Sequence, residues 1–224
     1  MDFAAVVEHA SARYRPAGRA AFHFARGKLR GDPVYRAVLE SGVLPAAGTV
    51  LDVGCGGGLL LAALAAAQTP AATAGPGRRL IGIETRPAAA AIARRALGTA
   101  AEIVTGDARR QPLPAAHAIL LFDVLNLMPA VDQDELLPAL RASLAPGGVL
   151  LVREADAAAG WRFRAVRVGN RIKAWWVGQF APTFHFRTLA AWRRWLEDAG
   201  FDVAARPMGA GTPFGNVLLV ARRR

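Results

Sequence analysis

From Thr49 onward, short apolar runs alternate with longer stretches of helical periodicity. That is the pattern of a sheet whose strands are joined through helices and therefore run parallel. Thr49–Val53 reads as a short buried strand stopped by glycines, and the alanine- and leucine-rich Leu59–Gln68 as the helix behind it. Pro70–Gly77 predicts a loop. Arg79–Glu84 is the second strand, followed by a helix over Pro87–Leu97 that opens on proline, whose fixed φ suits a first turn. Ala101–Thr105 and Ala118–Asp123 are the third and fourth strands. A helix around Asp134–Ala142 is expected to stop near Pro146-Gly147-Gly148, ahead of a fifth strand at Val149–Arg153.

The rhythm then breaks. Ala155–Arg187 has no clean period and mixes Trp161, Phe163, Trp175, Trp176, Phe180, Phe184 and Phe186 with arginines, so an irregular lid or binding element is expected there. Thr188–Ala199 is helical with Gly200 as its stop, and two last strands lie near Phe201–Ala205 and Asn216–Ala221. Residues 1–44 read as largely helical, punctuated by Pro16, Gly18, Gly27, Gly31 and Pro33. The expected organisation is one domain: a helical cap over 1–45, a core over 46–154, an insertion on the substrate side over 155–187, and a closing helix and strand pair over 188–224.

Composition narrows the class. Hydrophobic residues make up 53% of the 224 and charged residues 20%, too apolar for extended disorder. No apolar run is long and unbroken enough to predict a membrane span. The start, MDFAAVVEHASARYR, carries acids early and lacks the basic-then-apolar order of a secretory signal. The single cysteine, Cys55, excludes an intrachain disulfide and fits a reducing, cytoplasmic setting. The net charge of +11 is unevenly placed: residues 37–152 carry eight basic and nine acidic side chains, whereas the flanks 1–36 and 153–194 carry seven and three, and nine and two.

The chemistry begins at Gly54, Gly56, Gly57 and Gly58, directly after a buried strand. Glycines there let the backbone approach a ligand where side chains would collide, although a glycine turn can also merely close a strand–helix junction. Asp52 sits at the carboxyl end of that strand, where open α/β sheets bind ligands. Glu84 ends the second strand at the distance where a carboxylate accepts from the two hydroxyls of a ribose. A nicotinamide dinucleotide fold would share the glycine turn and the acid but would not call for Asp52 two residues ahead of the first glycine.

Val50–Leu59 (VLDVGCGGGL) resembles the first motif of the class I S-adenosylmethionine (SAM)-dependent methyltransferases, and the resemblance covers most of residues 49–154. It implies a Rossmann-like α/β fold: a seven-stranded, mostly parallel sheet flanked by helices, with an antiparallel last strand. It also implies SAM as cofactor and no resident metal. By the same resemblance Asp52, Gly54, Gly56 and Gly58 border the methionine end of the cofactor. Glu84 and Thr85 of IGIET lie at the ribose, and Asp107 with Ala108, after Gly106, lies near the adenine. Asp123 of Phe122-Asp123-Val124-Leu125 matches the family's fourth-strand acid. Cys55 is expected as a small apolar neighbour of the cofactor, with no histidine placed to activate it.

A sulfonium methyl is already activated, so its transfer depends largely on alignment; a general base adds roughly 10²–10⁴-fold where the acceptor must lose a proton. His23 and His185, each between phenylalanines and outside the core sheet, are the candidate bases; packing in aromatic clusters is their alternative role. His117, among alanines beside strand four, reads as a boundary residue. Asn126 stands where many relatives carry a histidine, and its amide would orient an acceptor hydroxyl.

The basic flanks suit three partners: a small aromatic or carboxylated metabolite, free or tethered to an acidic acyl carrier protein; RNA; or an anionic membrane met by the amphipathic helix Thr188–Ala199. The small molecule is favoured, because the chain has no added RNA-binding domain and no Asn-Pro-Pro-Tyr sequence after strand four. HFARGKLRGDPVYRAVLESG resembles the methyltransferases of bacterial aryl polyene pigment pathways, which act on an aromatic head group. A non-catalytic SAM-binding module is the reading from another class.

Overall fold

The computed structural model describes residues 2–68, 77–176 and 183–224. Most of the expected Pro70–Gly77 loop, and Phe180, lie outside the described residues. Eight helices and seven strands occur among the residues described: α1 (Phe3–Ala12), α2 (Arg19–Gly31), α3 (Pro33–Glu40), β1 (Gly48–Val53), α4 (Leu59–Ala67), β2 (Arg78–Glu84), α5 (Pro87–Leu97), β3 (Glu102–Thr105), β4 (Ala116–Phe122), α6 (Ala130–Ser143), β5 (Leu144–Ala155), α7 (Trp161–Trp176), α8 (Leu189–Asp198), β6 (Phe201–Pro207) and β7 (Asn216–Arg223).

The strands form one sheet in the order β3-β2-β1-β4-β5-β7-β6. β1 pairs in parallel with β2 and β4, β4 in parallel with β5, and β7 lies antiparallel between β5 and β6. The sheet is thus mostly parallel with an antiparallel last strand, as the resemblance implied. Chain order reverses at β1, whose neighbours are β2 and β4. At that switch the helices leave toward opposite faces and a crevice opens above the carboxyl ends of the strands.

Strict alternation builds two cores. Val50 of β1, Ala118 and Leu120 of β4, Val149 and Leu151 of β5, and Leu218 and Val220 of β7 face α1–α5. Leu51, Ile119, Leu121, Leu150, Val152, Leu219 and Ala221 face α6 and α8 instead. Successive side chains on a strand point to opposite faces, and helices cover both, so these strands read as unbroken apolar runs in the sequence.

Three expectations need correction. The helix does stop near Pro146-Gly147-Gly148, with α6 running from Ala130 to Ser143, but the motif does not precede the fifth strand: it forms a bulge inside β5, where the register against β4 jumps from Ala116↔Leu144 to Ala118↔Val149. The stretch expected to be an irregular lid contains α7. Among its described side chains, 161–171, only Val166 is buried, with Trp161 and Val168 exposed, so no apolar stripe announces its first turns. The apolar face of α8 is not free for a membrane. Thr188 caps that helix, and Trp192 and Leu196, one turn apart, are completely buried under the sheet, worth about 1.5–3 kcal/mol each in burial. Among the described residues no helix is long and apolar enough to cross a membrane.

Candidate active site

The glycine turn is locked by geometry that other residues would not tolerate. Gly54 has φ +74°, and a Cβ there would collide with the Val124 side chain; Gly58 has φ +77°, and its Cβ would lie 2.7 Å from Leu97 Cδ1. Their amides are fastened from below: Gly54 N and Cys55 N donate to Ile83 O at 2.8 and 3.1 Å. From above, the buried Tyr14 hydroxyl donates to Gly57 O at 2.8 Å, tying the N-terminal helices to the loop. Cys55 is buried with its Sγ toward Gly82, where a Cβ would sit 2.7 Å from it, and burial followed by the Asp52 charge pushes the thiol up. It packs against β2 as an inert apolar group.

Glu84, almost fully buried, receives the turn. Its Oε2 accepts from Gly56 N at 2.7 Å, and its Oε1 accepts from Arg86 N and Nε, both at 2.9 Å. Burial alone would raise this carboxyl, but the Arg86 hydrogen bonds and charge outweigh it and hold it below the usual value. Asp52 lies beneath, 4% exposed, pushed up to about 7 by burial and then by Glu84. Asp107 is held low first by its hydrogen bonds from Arg109, which also pairs with Asp132.

Above these strand ends lies a cleft of about 680 Å³, whose lining includes Gly54, Glu84, Thr85, Asp107, Ala108 and Asp123. The residues expected around one ligand are therefore brought together, with Gly56 joined through its bond to Glu84. Asp52 and Cys55 support the cleft floor without lining it.

A second cavity of about 350 Å³ adjoins the first. Gly27, Lys28 and Asp32 come to it from α2 and its end, Asn126 from the loop after β4, Arg153 from β5, and Val166 and Asn170 from α7. Its charges pair with one another. Arg153, 5% exposed, reaches Asp32 Oδ2 with Nη1 at 2.7 Å and Asp123 Oδ2 with Nη2 at 2.8 Å. Lys28 Nζ also donates to Asp32 Oδ2, at 2.8 Å. Burial works against the Arg153 charge, but Asp123 and Asp32 more than restore it. Each cation of this cavity therefore already faces an acid. Outside it, on α7, Arg164, Arg167 and Arg171 are exposed and without ion pairs among the described residues.

Asp123 lines both cavities. Its φ of +58° is the only positive value off glycine among the described residues, a left-handed conformation that costs about 1–2 kcal/mol. The Arg153 ion pair and the bond from Asp123 N to Arg153 O, 2.9 Å, hold it there.

Behind Asn126 stands Glu154, which is completely buried. Its Oε1 accepts from Leu125 N and Asn126 N at 2.8 and 3.3 Å, and its Oε2 accepts from Asn126 Nδ2 at 2.8 Å. Burial, then Asp123, pushes it up to about 8. Gln133, also completely buried, clamps the same loop by donating Nε2 to Leu125 O, Met128 O and His185 O.

The two candidate bases do not join Asn126. His23 is exposed on α2, edge-on to Phe22, and His185 is half-buried, held by its backbone N on Asn126 O at 2.8 Å; neither side chain lines either cavity among the described residues. His117 accepts from Thr49 N through Nδ1 at 3.1 Å, a structural task. Sequence reasoning missed Asp32, Arg153, Glu154, Gln133 and Tyr14. The one local signal was Arg153-Glu154: adjacent opposite charges inside a strand with both faces covered are too costly without partners on each face.

Residues 7–206 match the family model of a methyltransferase domain. The chain is 39% identical over 114 residues to trans-aconitate 2-methyltransferase of Paracidovorax citrulli (strain AAC00-1), a match covering 50% of this chain and 41% of that one. It is 34% identical over 110 residues to carboxy-S-adenosyl-L-methionine synthase of Chromohalobacter salexigens, covering 47% and 39%. Both matches thus span only about two fifths of the curated relative. Among solved structures, an O-methyltransferase of neocarzinostatin biosynthesis, in complex with S-adenosylmethionine and 2-hydroxy-5-methyl naphthoic acid, superposes with a TM-score of 0.63 at 25% identity, covering 93% of this chain and 58% of that one. With the family model spanning most of its length over a cleft built by Glu84, Asp107 and the glycine turn, this chain belongs to the methyltransferase-domain family and has the class I, SAM-dependent fold.

Proposed function

We propose that the chain binds SAM in the larger cleft and transfers its methyl group to an oxygen of a small aromatic or carboxylated metabolite held in the adjoining cavity. The observation that carries this reading is Asp123, which belongs to the walls of both spaces and so marks where cofactor and acceptor would meet.

The residues fit the cofactor. Glu84 Oε2 accepts one bond among the described residues and keeps capacity for a ribose hydroxyl. Gly54 leaves backbone where a side chain would collide, and Ala108 offers a small apolar surface at the Asp107 end of the cleft. SAM would supply a methyl group on a positively charged sulfur. The protein's contribution is then alignment and exclusion of water, which accounts for several kcal/mol of barrier lowering without a histidine. His23 and His185 are not carried forward as bases; Asn126 is carried forward as the group that orients the acceptor.

Calorimetry tests the cofactor half: SAM and S-adenosylhomocysteine should both bind, and a chain that binds neither is not a methyltransferase. For the acceptor, labelled SAM is incubated with hydroxylated aromatic and carboxylated small molecules, with acyl groups on an acidic carrier protein, and with RNA. Label in free small molecules is the expected result, and label in RNA alone would overturn it. Carrier-borne acceptors are the second reading, favoured by the unpaired Arg164, Arg167 and Arg171 on α7.

A further inference from the structure

The loop after β4 presents an amide to the acceptor cavity, and an amide has two chemically opposite ends. Asn126 lines that cavity and is 4% exposed. Its Nδ2 end is held at 2.8 Å by Glu154 Oε2, while Glu154 Oε1 is held in turn by the backbone N–H groups of Leu125 and Asn126. Both Glu154 oxygens accept in this arrangement, and once the carboxyl is ionised, above about 8, it can meet only the donor end of the amide. Oδ1 has no hydrogen-bond partner among the described residues.

We propose that Glu154 is a positioning residue that turns the Oδ1 end of Asn126 toward the acceptor cavity, so that the site reads its methyl acceptor as a hydrogen-bond donor, a hydroxyl, and gives up that contact once the hydroxyl is methylated. Transfer forms the C–O bond, breaks the C–S bond and releases the hydroxyl proton to water, since a carboxamide oxygen is too weak a base to keep it. The product ether has no donor for Oδ1. One contact thus serves both to select the substrate and to let the product leave. Glu154 takes no part in the cavity's ion pairs, which join Arg153 to Asp32 and Asp123. The inference rests on the methyl-transfer reading above and names the chemistry of its acceptor.

The test uses a neutral pair of probes, 2-naphthylmethanol and its methyl ether, bound to the full chain saturated with S-adenosylhomocysteine at pH 9 and followed by calorimetry. Both probes are uncharged, so a change of charge at position 154 acts on them alike. The unmodified chain is expected to bind the alcohol about tenfold more tightly than the ether, as one net hydrogen bond allows. In Glu154→Gln the new amide NH2 faces Asn126, the Asn126 amide turns over, and the preference should fall to about one. In Asn126→Ala the preference should also vanish, and adding Glu154→Gln to it should change nothing further. The proposal is overturned if Glu154→Gln keeps the preference while binding S-adenosylhomocysteine normally, or if it alters the preference equally in the Asn126→Ala background. If Glu154→Gln does not fold, Asn126→Ala alone decides: an unchanged preference there sinks the idea. Failure of the unmodified chain to bind S-adenosylhomocysteine would instead defeat the methyl-transfer reading itself.

Discussion

The larger cleft, proposed for the cofactor, and the smaller cavity, proposed for the acceptor, share a wall at Asp123 yet are built on different plans. The cleft takes most of its polar groups from consecutive strand ends, Gly54, Glu84 and Asp107, and its supporting bonds run between neighbouring strands. The cavity gathers α2, the loop after β4, β5, α7 and the β6–β7 turn, and its central ion pair joins Asp32 to Arg153, 121 residues apart. A site made of strand ends keeps its geometry as long as the sheet is paired. A site made of distant segments depends on the few buried charges that hold them together.

Breaking the cavity at its centre is the severest test of this contrast. Arg153→Met leaves Asp32 buried and Asp123 in a strained conformation without their shared cation, and removal of one partner from such a buried pair costs about 3–5 kcal/mol. Urea denaturation should show that loss while calorimetry shows SAM affinity changed by less than about tenfold. A comparable loss of SAM affinity would mean that the two spaces are one unit.

Glu84→Ala strikes the cleft alone. Losing a charged acceptor for ribose and the anchor of Gly56 should weaken SAM binding about 100-fold, the equivalent of about 2.7 kcal/mol. Stability should suffer less than in Arg153→Met.

The buried acids give each region its own pH signature. Glu154 and Asp52 are pushed up to about 8 and about 7, far above their unfolded values. The folded chain therefore holds protons that the unfolded chain releases. The stability each contributes is full below the ordinary carboxylate range and is lost as pH rises through 7 to 8. The melting temperature should fall by several degrees between pH 5 and 9. Glu154→Gln and Asp52→Asn should each flatten that fall, and a fall unchanged in both variants would place its origin elsewhere.

The mildest perturbation is Tyr14→Phe. It removes one hydrogen bond to Gly57 O, worth about 1 kcal/mol or roughly 2–4 °C in melting temperature for a chain of this size. SAM affinity should drop alongside, because the bond holds the glycine turn itself; an effect on stability alone would show that the N-terminal helices only pack.

How much could be read in advance follows the same division. β1, β2 and β5 could be placed because strands covered on both faces are nearly continuous apolar runs, and the turn at 54–58 because positive φ values there exclude side chains. α7 could not, since among its described side chains only Val166 is buried and its first turns have no stripe to display. The Pro-Gly-Gly motif hid the true start of β5, because residues that follow a helix end also fit an unpaired kink in a strand. His23 and His185 attracted attention as titratable residues among phenylalanines, and the residues that organise the cavity, Arg153 and Glu154, looked like the ordinary end of a strand.

By itself the sequence determined the order of strands, the helices of the core, the family and the polar lining of the larger cleft, because these depend on alternation and on spacings within a few dozen residues. Only the tertiary structure decided that Lys28 and Arg153 meet Asp32 and Asp123 in the smaller cavity. It likewise decided that α8 spends its apolar face on the core, and that Glu154 stands behind Asn126. Pairing of charges across 121 residues and the facing of an amide are set by where the chain closes on itself, and no local pattern encodes that closure.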